Sequence, residues 1–599
     1  MKIYKLILSG ILSAALFSSC NDDFLDTNPD ADRSETNFWN SKSDFELYVN
    51  TLYPKYLAGF GTGFQAENVD PKGINEAQLV YGDIITDNAV TTNYSRVTNN
   101  DYISYLTDAS GKGGWNWENL RHINYFLNNY KKTPLAETEY AVYLGEINFF
   151  KAVEYFEKVK LFGDVPWLTK DLQTNSEELF AKRNPREEVI DSVLMVLDKA
   201  IAMLPDNANN SGRINKDMAV FLKSRIGLYE GTYRKYHKGK DFEKYLGISI
   251  AASEQLMSTK KYDIVTGDKN KVYNNLFAQQ TYAGNKEIVY WRGYNASLTL
   301  GSAFSRYFAQ NNRNGGSSAT RSLVDDYLCI DGQSISTSPL YQGKNTLNLE
   351  FQNRDPRLPQ TIALPGQYSL RTGIGMTGAT ANPLPGIKGS NTANGNLAVT
   401  GYRWAKWFYD NPDDWARTTN GLQAAPIFRY AEILLNYAEA KAELGQISQA
   451  ILDQTINILR KRVEMPVLTM GQEPADPRLD AIYNTYVGYA VNPTLREIRR
   501  ERRIEMAFEN TRWDDLVRWK ALKLLSMPVE GMKFNQSDYP TVKVGADIVL
   551  NKEGLILPYA QTLPNGRTFN ERMYLFPIPI EDLVLNKNLV QNPGWETGK

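Results

Sequence analysis

The sequence predicts a mainly α-helical protein: a scaffold of helical hairpins with a loop-rich elaboration and a few short strands. Several segments repeat apolar residues with the 3.6-residue period of a helix, and the longest covers Glu137–Phe162. Two further helices, Asn215–Tyr236 and Phe242–Met257, follow each other closely enough to form a hairpin. By contrast, residues 309–320 and roughly 365–400 are small and polar, which is typical of long loops.

The first helix is predicted over Phe38–Leu57, with Ser43 as its N-cap. Residues 58–115 are rich in Gly, Asn, Asp and Thr, so they predict loops, with a short extended piece at Leu79–Thr86. The pair Trp115 and Trp117 then opens the next helix.

The central helices have clear end signals. Gly163 ends the long helix, since glycine readily takes the left-handed conformation found at helix C-termini. Pro185–Leu204 predicts the following helix, with Asn184 as its N-cap and the proline in its first turn. Farther along, Glu287–Trp291 predicts a strand and Pro426–Leu444 another helix.

The region around Gly445 is similar to a tetratricopeptide unit. Gly445 and Ala450 lie five residues apart, as in the helix–turn–helix of that repeat, and Lys441–Arg460 fits the unit loosely. The helix pair within residues 215–257 fits it more loosely still. The spacing alone therefore leaves the repeat as one interpretation of these hairpins.

The segment Leu495–Lys520 predicts a helix, a break at Asn510 and a second helix. Arg502 and Glu505 fall on the same face as apolar residues, where charge is costly unless it is paired. Arg502 can reach Glu505 along the helix at a spacing of three residues. We therefore predict an internal ion pair here rather than a catalytic cluster.

The composition limits the classes of function. The chain has 599 residues and a formal net charge of −1, so no basic surface predicts a nucleic-acid partner. The two histidines, His122 and His237, exclude most zinc sites and His-dependent triads, and no phosphate-binding glycine loop is present. We therefore expect neither a bound metal nor a cofactor. The aromatic content of 12% suits a surface that stacks on flat apolar faces.

The N-terminus has the pattern of a lipoprotein signal peptide. Lys2 and Lys5 precede an apolar run that ends at Phe17 and is too short to span a bilayer. Two serines and Cys20 follow, as in a bacterial lipobox, so we expect residues 1–19 to be removed and Cys20 to be acylated. Stable anchoring needs more than one acyl group, which processing of this kind supplies.

Acidic residues directly follow the expected lipidation site. Asn21, Asp22 and Asp23 resemble the export signal that sends Bacteroidetes lipoproteins to the outer face of the outer membrane. Residues 20–36 would then be an acylated polar tether. No later segment is long and apolar enough to cross a bilayer. The expected location is the cell outer membrane, with the chain facing the exterior.

Eight segments, in the family's order and spread over nearly the whole mature chain, resemble the SusD/RagB family of Bacteroidetes nutrient-binding lipoproteins. They are the lipobox with its acidic tail, KVKLFGDVPWLT (158–169), AVFLKSRIGLYEGTY (219–233), LVDDYLCIDGQSI (323–335), FQNRDPRL (351–358), FRYAEILLNYAEAKAELG (428–445), RRERRIEMAFENTRWDDLVRW (499–519) and YLFPIPIEDLVLNKNLVQNPGW (574–595). The family usually has glycine at the position of Asn510, and asparagine can adopt the same backbone.

The resemblance implies a tetratricopeptide-like scaffold in which an N-terminal part, 37–280, and a C-terminal part, 281–599, form one compact unit. Family members sit as lids on a SusC-like TonB-dependent transporter and bind a nutrient, usually a glycan, without catalysis. Peptides or another nutrient remain the alternative ligands. A remote alternative, an extracellular glycoside hydrolase, needs two carboxylates about 5–10 Å apart across a pocket. The adjacent aspartate pairs at 413–414 and 514–515 do not suit that arrangement.

Sugar sites combine a flat aromatic ring with amide, carboxylate or guanidinium groups, and several loops of this chain have that mixture. Trp404 and Trp407 belong to the densest aromatic patch, but core packing is the preferred interpretation for both, as it is for Trp291. The candidate ligand-binding residues are Asp87, Asn88, Arg96, Trp115, Trp117, Tyr294, Tyr307, Asn311, Asn312 and Arg313.

Overall fold

Helices dominate the fold, and the strands are few and short, which confirms the predicted fold class. The computed structural model describes residues 38–60, 78–101, 114–206, 212–310, 317–367, 384–390, 397–417 and 419–596. The predicted signal peptide, Cys20 and the tether lie outside the described residues, as do the candidate residues Asn311, Asn312 and Arg313.

Eight helices of nine or more residues form the scaffold in the described part of the chain. They are α1 (Lys42–Asn50), α2 (Glu118–Asn129), α3 (Glu137–Phe162), α4 (Arg186–Met203), α5 (Lys216–Tyr236), α6 (Phe242–Ser258), α7 (Tyr430–Glu443) and α8 (Pro493–Glu505). Shorter helices connect them: Tyr53–Tyr56, Gln78–Tyr81, Val272–Asn275, Phe304–Gln310, Arg321–Asp326, Leu347–Phe351, Leu358–Thr361, Pro412–Ala416, Gln449–Gln454, Ile456–Arg462, Pro477–Ile482, Arg512–Arg518 and Ile580–Leu585. Within these ranges, no helix combines the length and apolar character that crossing a bilayer requires.

Consecutive helices pack as hairpins, α3 with α4 and α5 with α6, and α6 and α8 both pack against α7. The α5–α6 pair approaches closely because two glycines of α5 face its partner. A Cβ atom on Gly227 would lie 2.6 Å from the backbone nitrogen of Ser249, and one on Gly231 would lie 2.7 Å from Cγ of Leu246. A side chain at either position would force the two helices apart.

Four short strands form two antiparallel pairs among the described residues. Strand β1 (Ala89–Val90) pairs with β3 (Ser318–Ala319), and β2 (Ile288–Arg292) pairs with β4 (Ala425–Arg429) across an irregular register. Strand β2 confirms the strand predicted at Glu287–Trp291 within one residue at each end.

Three predicted helix starts are wrong. Helix α4 begins at Arg186 with Pro185 at its N-cap position, and the Oδ1 atom of Asn184, the predicted cap, accepts a hydrogen bond from the Trp167 nitrogen at 3.0 Å instead. The helix predicted over Pro426–Leu444 begins only at Tyr430, because the residues before it pair with β2 as strand β4. Helix α1 is capped by Ser41 rather than Ser43. Ser41 Oγ accepts a hydrogen bond from the Asp44 nitrogen at 3.3 Å, while the Asp44 carboxylate accepts one from the Ser41 nitrogen at 2.8 Å. This reciprocal pair fixes the first turn.

The extended piece predicted at Leu79–Thr86 is also wrong, since Gln78–Tyr81 is an α-helical turn and Gly82–Ile85 a 3₁₀ turn. Gly82 lies directly against the bend after α8, where a Cβ atom would meet Oδ1 of Asn510 at 1.9 Å. Asn510 has φ of 59°, which confirms the predicted left-handed break. The 3₁₀ turn Gly82–Ile85 and the left-handed bend at Asn510 therefore pack directly against each other.

Helix α8 lies in the interior although it is highly charged. Every residue from Leu495 to Glu505 is buried, and eight of them are arginine or glutamate. Glu505 contacts Arg357 and Arg429 at 3.1 Å each and also pairs with Arg462. Burial alone would raise the pKa of Glu505, but these guanidinium groups hold the pKa well below its usual range.

The ion pair predicted between Arg502 and Glu505 is wrong. Nε of Arg502 donates to both carboxylate oxygens of Asp515 at 2.9 Å, and its Nη1 donates to Asn436. Arg502 and Glu505 bind different partners because α8 is buried among several other segments, which supply Asp515 and Asn436 to Arg502 and three arginines to Glu505. The wider prediction of an internal ionic brace is confirmed, since these charges pair with buried groups.

Candidate functional site

A cleft of about 520 Å³ opens beside the N-terminus of α2, and both tryptophans predicted from the sequence line it. Most of the lining side chains are apolar, and the polar ones include residues at its edge. We call it the Trp115–Trp117 cleft. It is lined by Trp115, Trp117, Glu118, Leu120, Arg121, Asn124, Pro166, Leu168, Lys170, Leu172, Glu178, Leu179, Phe180, Ala181, Asp582, Leu585, Asn586 and Leu589.

The aromatic wall of the cleft is a perpendicular ring pair. The centroids of Trp115 and Trp117 are 5.1 Å apart at an interplanar angle of 90°. Trp115 is 2% exposed and packs edge-on against Phe162 at 4.9 Å. Trp117 is half-buried. Trp115 is therefore a core residue, whereas the Trp117 ring remains partly accessible to a ligand.

A lysine on α3 holds the aromatic wall in place. Lys158 Nζ lies 4.7 Å from the centroid of the Trp117 ring, a cation–π arrangement, and donates to the carbonyl oxygens of Gly114 and Asn116. Its charge is balanced by Glu154 at 2.9 Å. Because α3 anchors these contacts, the Trp117 ring is oriented before any ligand arrives.

The second wall is fixed by Asn124 of α2. Its Nδ2 donates to the carbonyl oxygens of Leu168 and Lys170 at 3.1 Å each, and its Oδ1 accepts from Lys151 Nζ at 2.9 Å. Burial lowers the pKa of Lys151 to about 8. The backbone nitrogen of Leu168 also donates to Tyr155 Oη at 2.6 Å. This loop is therefore fastened to two helices.

The third wall joins segments that are far apart in sequence. The 3₁₀ turn Glu177–Phe180 meets the short helix Ile580–Leu585 and the residues after it. Asn586 Nδ2 donates to the carbonyl oxygen of Ala181 at 2.9 Å, and Asn588 Nδ2 donates to that of Phe180 at 2.8 Å. Amide side chains thus tie the C-terminal segment to the turn.

Charged groups of both signs stand at the edge of the cleft. Glu118 and Arg121 are exposed on the first turn of α2, and Arg121 follows Trp117 at the i+4 spacing that places side chains on one face. Lys170 and Glu178 form an ion pair, which raises the pKa of the lysine and lowers the pKa of the carboxyl. The cleft thus offers hydrogen-bond donors and acceptors beside an aromatic face.

Two candidate residues, Asp87 and Asn88, are buried and bound to other side chains of the interior. Both oxygens of Asp87 accept from Arg512 at 2.8 Å, and Arg503 lies 3.1 Å from one of them. Asn88 Oδ1 accepts from Arg503 Nε at 2.8 Å, and its Nδ2 donates to Asp83 at 2.9 Å. Burial alone would raise the pKa of Asp87, but the two arginines lower it to about 2. These two side chains brace α8 and the turn that follows it.

Three other candidates lie away from the cleft. Arg96 is exposed, and the nearest described carboxylate, Asp101, is 4.0 Å away. Tyr294 is half-buried, and its hydroxyl accepts from the Phe60 nitrogen at 2.9 Å. Tyr307 is half-buried on the helix Phe304–Gln310. Of the candidate residues that the structure describes, Trp115 and Trp117 alone line the cleft.

Trp404 and Trp407 are 3% and 0% exposed, which confirms their interpretation as core residues. Trp407 Nε1 donates to the carbonyl oxygen of Phe508 at 2.9 Å. The dense aromatic patch therefore supports the bend after α8 rather than a ligand. Over the described ranges, no cluster of His, Cys, Asp and Glu has a geometry that could hold a metal ion.

Sequence reasoning missed most of the cleft lining. Arg121 could have been found, since its i+4 spacing from Trp117 was visible once α2 was predicted. The walls at Lys170, Phe180 and Leu585 carry no local signal, because tertiary packing alone brings them to the tryptophans.

Comparison with protein families matches the chain in two parts. The model of the SusD family matches residues 269–595. A second family model, described as starch-binding associating with outer membrane, matches residues 23–228. The first match includes the charged helix α8, and the second includes the hairpin of α3 and α4.

Individual relatives agree with these matches. SusD-like protein P38 of Formosa agariphila is 22% identical over 542 residues, which cover 88% of this chain and 94% of the relative. A SusD-like carbohydrate binding protein from Bacteroides fragilis superposes with a TM-score of 0.71 at 22% identity, over 92% of this chain and all of that one. A second SusD-like protein from the same species gives 0.67 at 24% identity, over 94% and 99%. These structural likenesses establish the fold.

Proposed function

This chain belongs to the SusD family, and from that premise we propose that it captures a glycan in the Trp115–Trp117 cleft at the outer face of the outer membrane. SusD family proteins are non-catalytic binding proteins, so the captured ligand leaves unchanged. In the proposed role, the chain passes the glycan to a SusC-like TonB-dependent transporter. Cys20 carries the acyl anchor that keeps it at the membrane.

The observation that carries this proposal is the half-buried Trp117 ring with exposed Glu118 and Arg121 beside it. A sugar ring has an apolar C–H face, which suits contact with the indole, and a rim of hydroxyls, which suits the carboxylate and the guanidinium. Lys158 and Asn124 fix the surrounding walls. A site ordered in advance loses less conformational entropy on binding.

Peptides are a second candidate ligand class, because leucines form much of the lining and Glu118 and Arg121 also suit peptide termini. Glycans and peptides should depend on different residues of the cleft. A glycan depends on stacking against Trp117, whereas a peptide with apolar side chains depends on Leu168, Leu172 and Leu589.

The proposal is tested by calorimetric titration of the mature protein against separate panels of purified neutral oligosaccharides and of short peptides. We expect a glycan to bind, and Trp117→Ala to weaken it about tenfold, equivalent to about 1.4 kcal/mol of lost contact. Trp291→Ala is the control, since that half-buried tryptophan does not line the cleft. Binding of peptides alone, or equal losses in the two variants, would contradict the proposal.

Trp115→Ala should act differently from Trp117→Ala. Because Trp115 is 2% exposed, its truncation should reduce the free energy of unfolding by about 3–5 kcal/mol. Denaturant unfolding of both variants separates a core role from a ligand role. If Trp117→Ala were the more destabilised of the two, Trp117 would be the structural residue.

A further inference from the structure

We propose that a second pocket of this chain binds a small organic molecule through a primary ammonium group. The pocket has a volume of about 180 Å³ and lies where α3, α5 and the short helix Arg512–Arg518 meet. It shares no lining residue with the Trp115–Trp117 cleft, so the inference is independent of glycan capture. We call it the α3–α5 pocket. The lining residues that carry the inference are Glu157, Lys160, Arg225, Tyr229, Trp513 and Asp514.

One lysine in this pocket faces two carboxylates. Lys160 Nζ lies 2.9 Å from Oε1 of Glu157 and 2.8 Å from Oδ2 of Asp514. All three side chains are mostly buried, with exposed fractions of 13% for the lysine and 27% for each acid. A single ammonium group cannot neutralise two carboxylates, so this group of side chains has an excess negative charge.

The second cation of the pocket, Arg225, does not remove that excess. Its Nε and Nη2 atoms each donate to the carboxylate of Glu432 at 2.7 Å, and Glu432 is almost fully buried, so these two charges neutralise each other. Burial raises the pKa of Glu157, and the charge of Asp514 adds to a rise that Lys160 offsets only in part. A further cation beside the two carboxylates would relieve their repulsion.

Two polar groups of the pocket are more than nine-tenths buried and have no partner within the described ranges. Tyr229 is 3% exposed and Trp513 is 9% exposed. Neither the Tyr229 hydroxyl nor the Trp513 Nε1 atom forms a hydrogen bond with a described residue, yet neither atom is completely shielded from solvent. Buried polar groups normally have partners. Both groups are therefore available to a ligand in the pocket that they line.

The two carboxylates also keep acceptor positions for a ligand. In the described part of the chain, no hydrogen bond reaches Oε2 of Glu157 or Oδ1 of Asp514. An ammonium group has three N–H donors, so it can bind both oxygens while its charge offsets the excess. The Trp513 N–H and the Tyr229 hydroxyl suit an oxygen atom on a neighbouring carbon of the same ligand. Amino sugars and the amino termini of peptides both have this combination.

An ammonium group fits the pocket better than a metal ion does. Lys160 already lies within hydrogen-bond distance of both carboxylates, where its charge would repel a divalent cation. An ammonium group can instead bind the outer oxygens at a greater distance from the lysine. The pocket therefore selects for hydrogen-bond donors as well as for positive charge.

Calorimetric titration of the mature protein with matched probes tests the recognition of ammonium. The charged probes are D-glucosamine and L-alaninamide, at a pH where their amines are protonated, and the uncharged partners are D-glucose and N-acetyl-L-alaninamide. We expect one charged probe to bind at least tenfold more tightly than its partner. The pair that shows the difference identifies an amino sugar or a peptide amino terminus as the ligand. Equal binding within both pairs, or no binding, would overturn the proposal.

The Tyr229 hydroxyl is tested by Tyr229→Phe, which keeps the buried ring and so preserves the fold. This variant should weaken binding of the charged probe about fivefold, because one hydrogen bond is lost. Tyr233→Phe is the matched control, since its ring stacks on Tyr229 with the centroids 6.1 Å apart but does not line the pocket. Equal affinities of the two variants for the probe would contradict the assigned site.

The excess charge is tested by Asp514→Asn, which leaves Lys160 paired with Glu157. We expect it to weaken binding of the charged probe at least tenfold. Asp198→Asn is the control, because Asp198 pairs with Lys223 outside the pocket. Melting temperatures distinguish a loss of binding from a loss of folding. An unchanged affinity in folded Asp514→Asn would refute ammonium recognition here, and Tyr229→Phe decides the matter if Asp514→Asn does not fold.

Trp117→Ala separates this proposal from the proposed function. It should weaken binding of neutral oligosaccharides and leave the affinity for the charged probe unchanged, whereas Tyr229→Phe should do the opposite. Loss of probe binding in Trp117→Ala would place the amine in the cleft and overturn the assignment to the α3–α5 pocket. A wild-type chain that binds the charged probe but no glycan would refute the proposed function alone.

Discussion

Asp83 and Asp87 lie four residues apart, and both are buried, yet their pKa values shift in opposite directions. Burial raises the pKa of Asp83 to about 6, because its hydrogen bonds from Asn88 and the Phe508 nitrogen offset only part of the lost hydration. Burial acts on Asp87 too, but Arg503 and Arg512 outweigh it and lower the pKa to about 2. Direct guanidinium contact therefore decides the sign at these two carboxyls.

The two aspartates should respond oppositely to amide substitution. Because the folded pKa of Asp83 exceeds the unfolded value, its contribution to stability is present below about pH 4 and is lost as the pH rises through 6. The stability of Asp83→Asn relative to wild type should therefore improve between pH 4 and 7, by about 3 kcal/mol.

Asp87→Asn should instead destabilise the protein at pH 7. The pKa of Asp87 is lower in the folded state than in the unfolded state, so its carboxylate stabilises the fold at pH values above the unfolded-state pKa. That stabilisation is lost as the pH falls toward 2. Urea unfolding of wild type and both variants at a series of pH values measures the two effects. If the free energy of unfolding varied with pH in the same way for wild type and Asp83→Asn, the pKa of Asp83 would not be raised in the folded state.

At the scale of elements, helix ends were predictable where the sequence carries a local signal. The bounds of α3, Glu137–Phe162, were predicted to the residue because Gly163 ends it with φ of 72°. Strand β4 was not predicted, because residues Ala425–Arg429 become a strand only by pairing with β2 from a distant part of the chain. A pattern within one segment cannot contain information about that partner.

The close packing of Gly82 on Asn510 gives an element-scale prediction. Gly82→Ala should reduce the free energy of unfolding by about 1–3 kcal/mol, because the new Cβ would overlap the Asn510 side chain. Combining it with Asn510→Gly should restore much of the loss, since glycine removes that side chain and tolerates φ of 59°. Denaturant unfolding of both single variants and the double variant completes the cycle. Strict additivity would show that the two positions do not touch.

The burial of α8 predicts a large cost for breaking its ion pairs. Glu505→Ala would leave Arg357, Arg429 and Arg462 without a shared carboxylate and should reduce the free energy of unfolding by about 3–5 kcal/mol. Lys269→Ala is the control, because Lys269 pairs with Glu464 at 2.6 Å with both side chains exposed. It should cost no more than about 1 kcal/mol. Similar costs for both would mean that the α8 charges are solvated.

At the scale of the whole molecule, the candidate site was only partly predictable. The sequence identified Trp115 and Trp117 because two indoles at a helix start form a local pattern. The loop fixed by Asn124 and the turn tied by Asn586 come from segments that only the folded chain brings together. Asp87 and Asn88 had the composition of a binding loop, but their partners on and after α8 are remote in sequence.

The acyl anchor proposed at Cys20 gives a prediction for the whole molecule in the cell. Labelled palmitate should enter the wild-type chain and be absent from Cys20→Ala, which should also leave the membrane fraction. Cys329→Ala is the matched control and should retain the label, because Cys329 is 0% exposed in the folded chain. Equal labelling of wild type and Cys20→Ala would remove the basis for membrane attachment.

The buried charges of α8 also constrain how this sequence can diverge. Losing one partner of a buried pair costs about 3–5 kcal/mol, against a total stability of about 5–15 kcal/mol for a typical domain. A lineage can therefore exchange these arginines and glutamates only through compensated double changes, whereas residues on the surface drift singly. We therefore expect residues 495–505 to change more slowly than the exposed surface when relatives of this chain are compared.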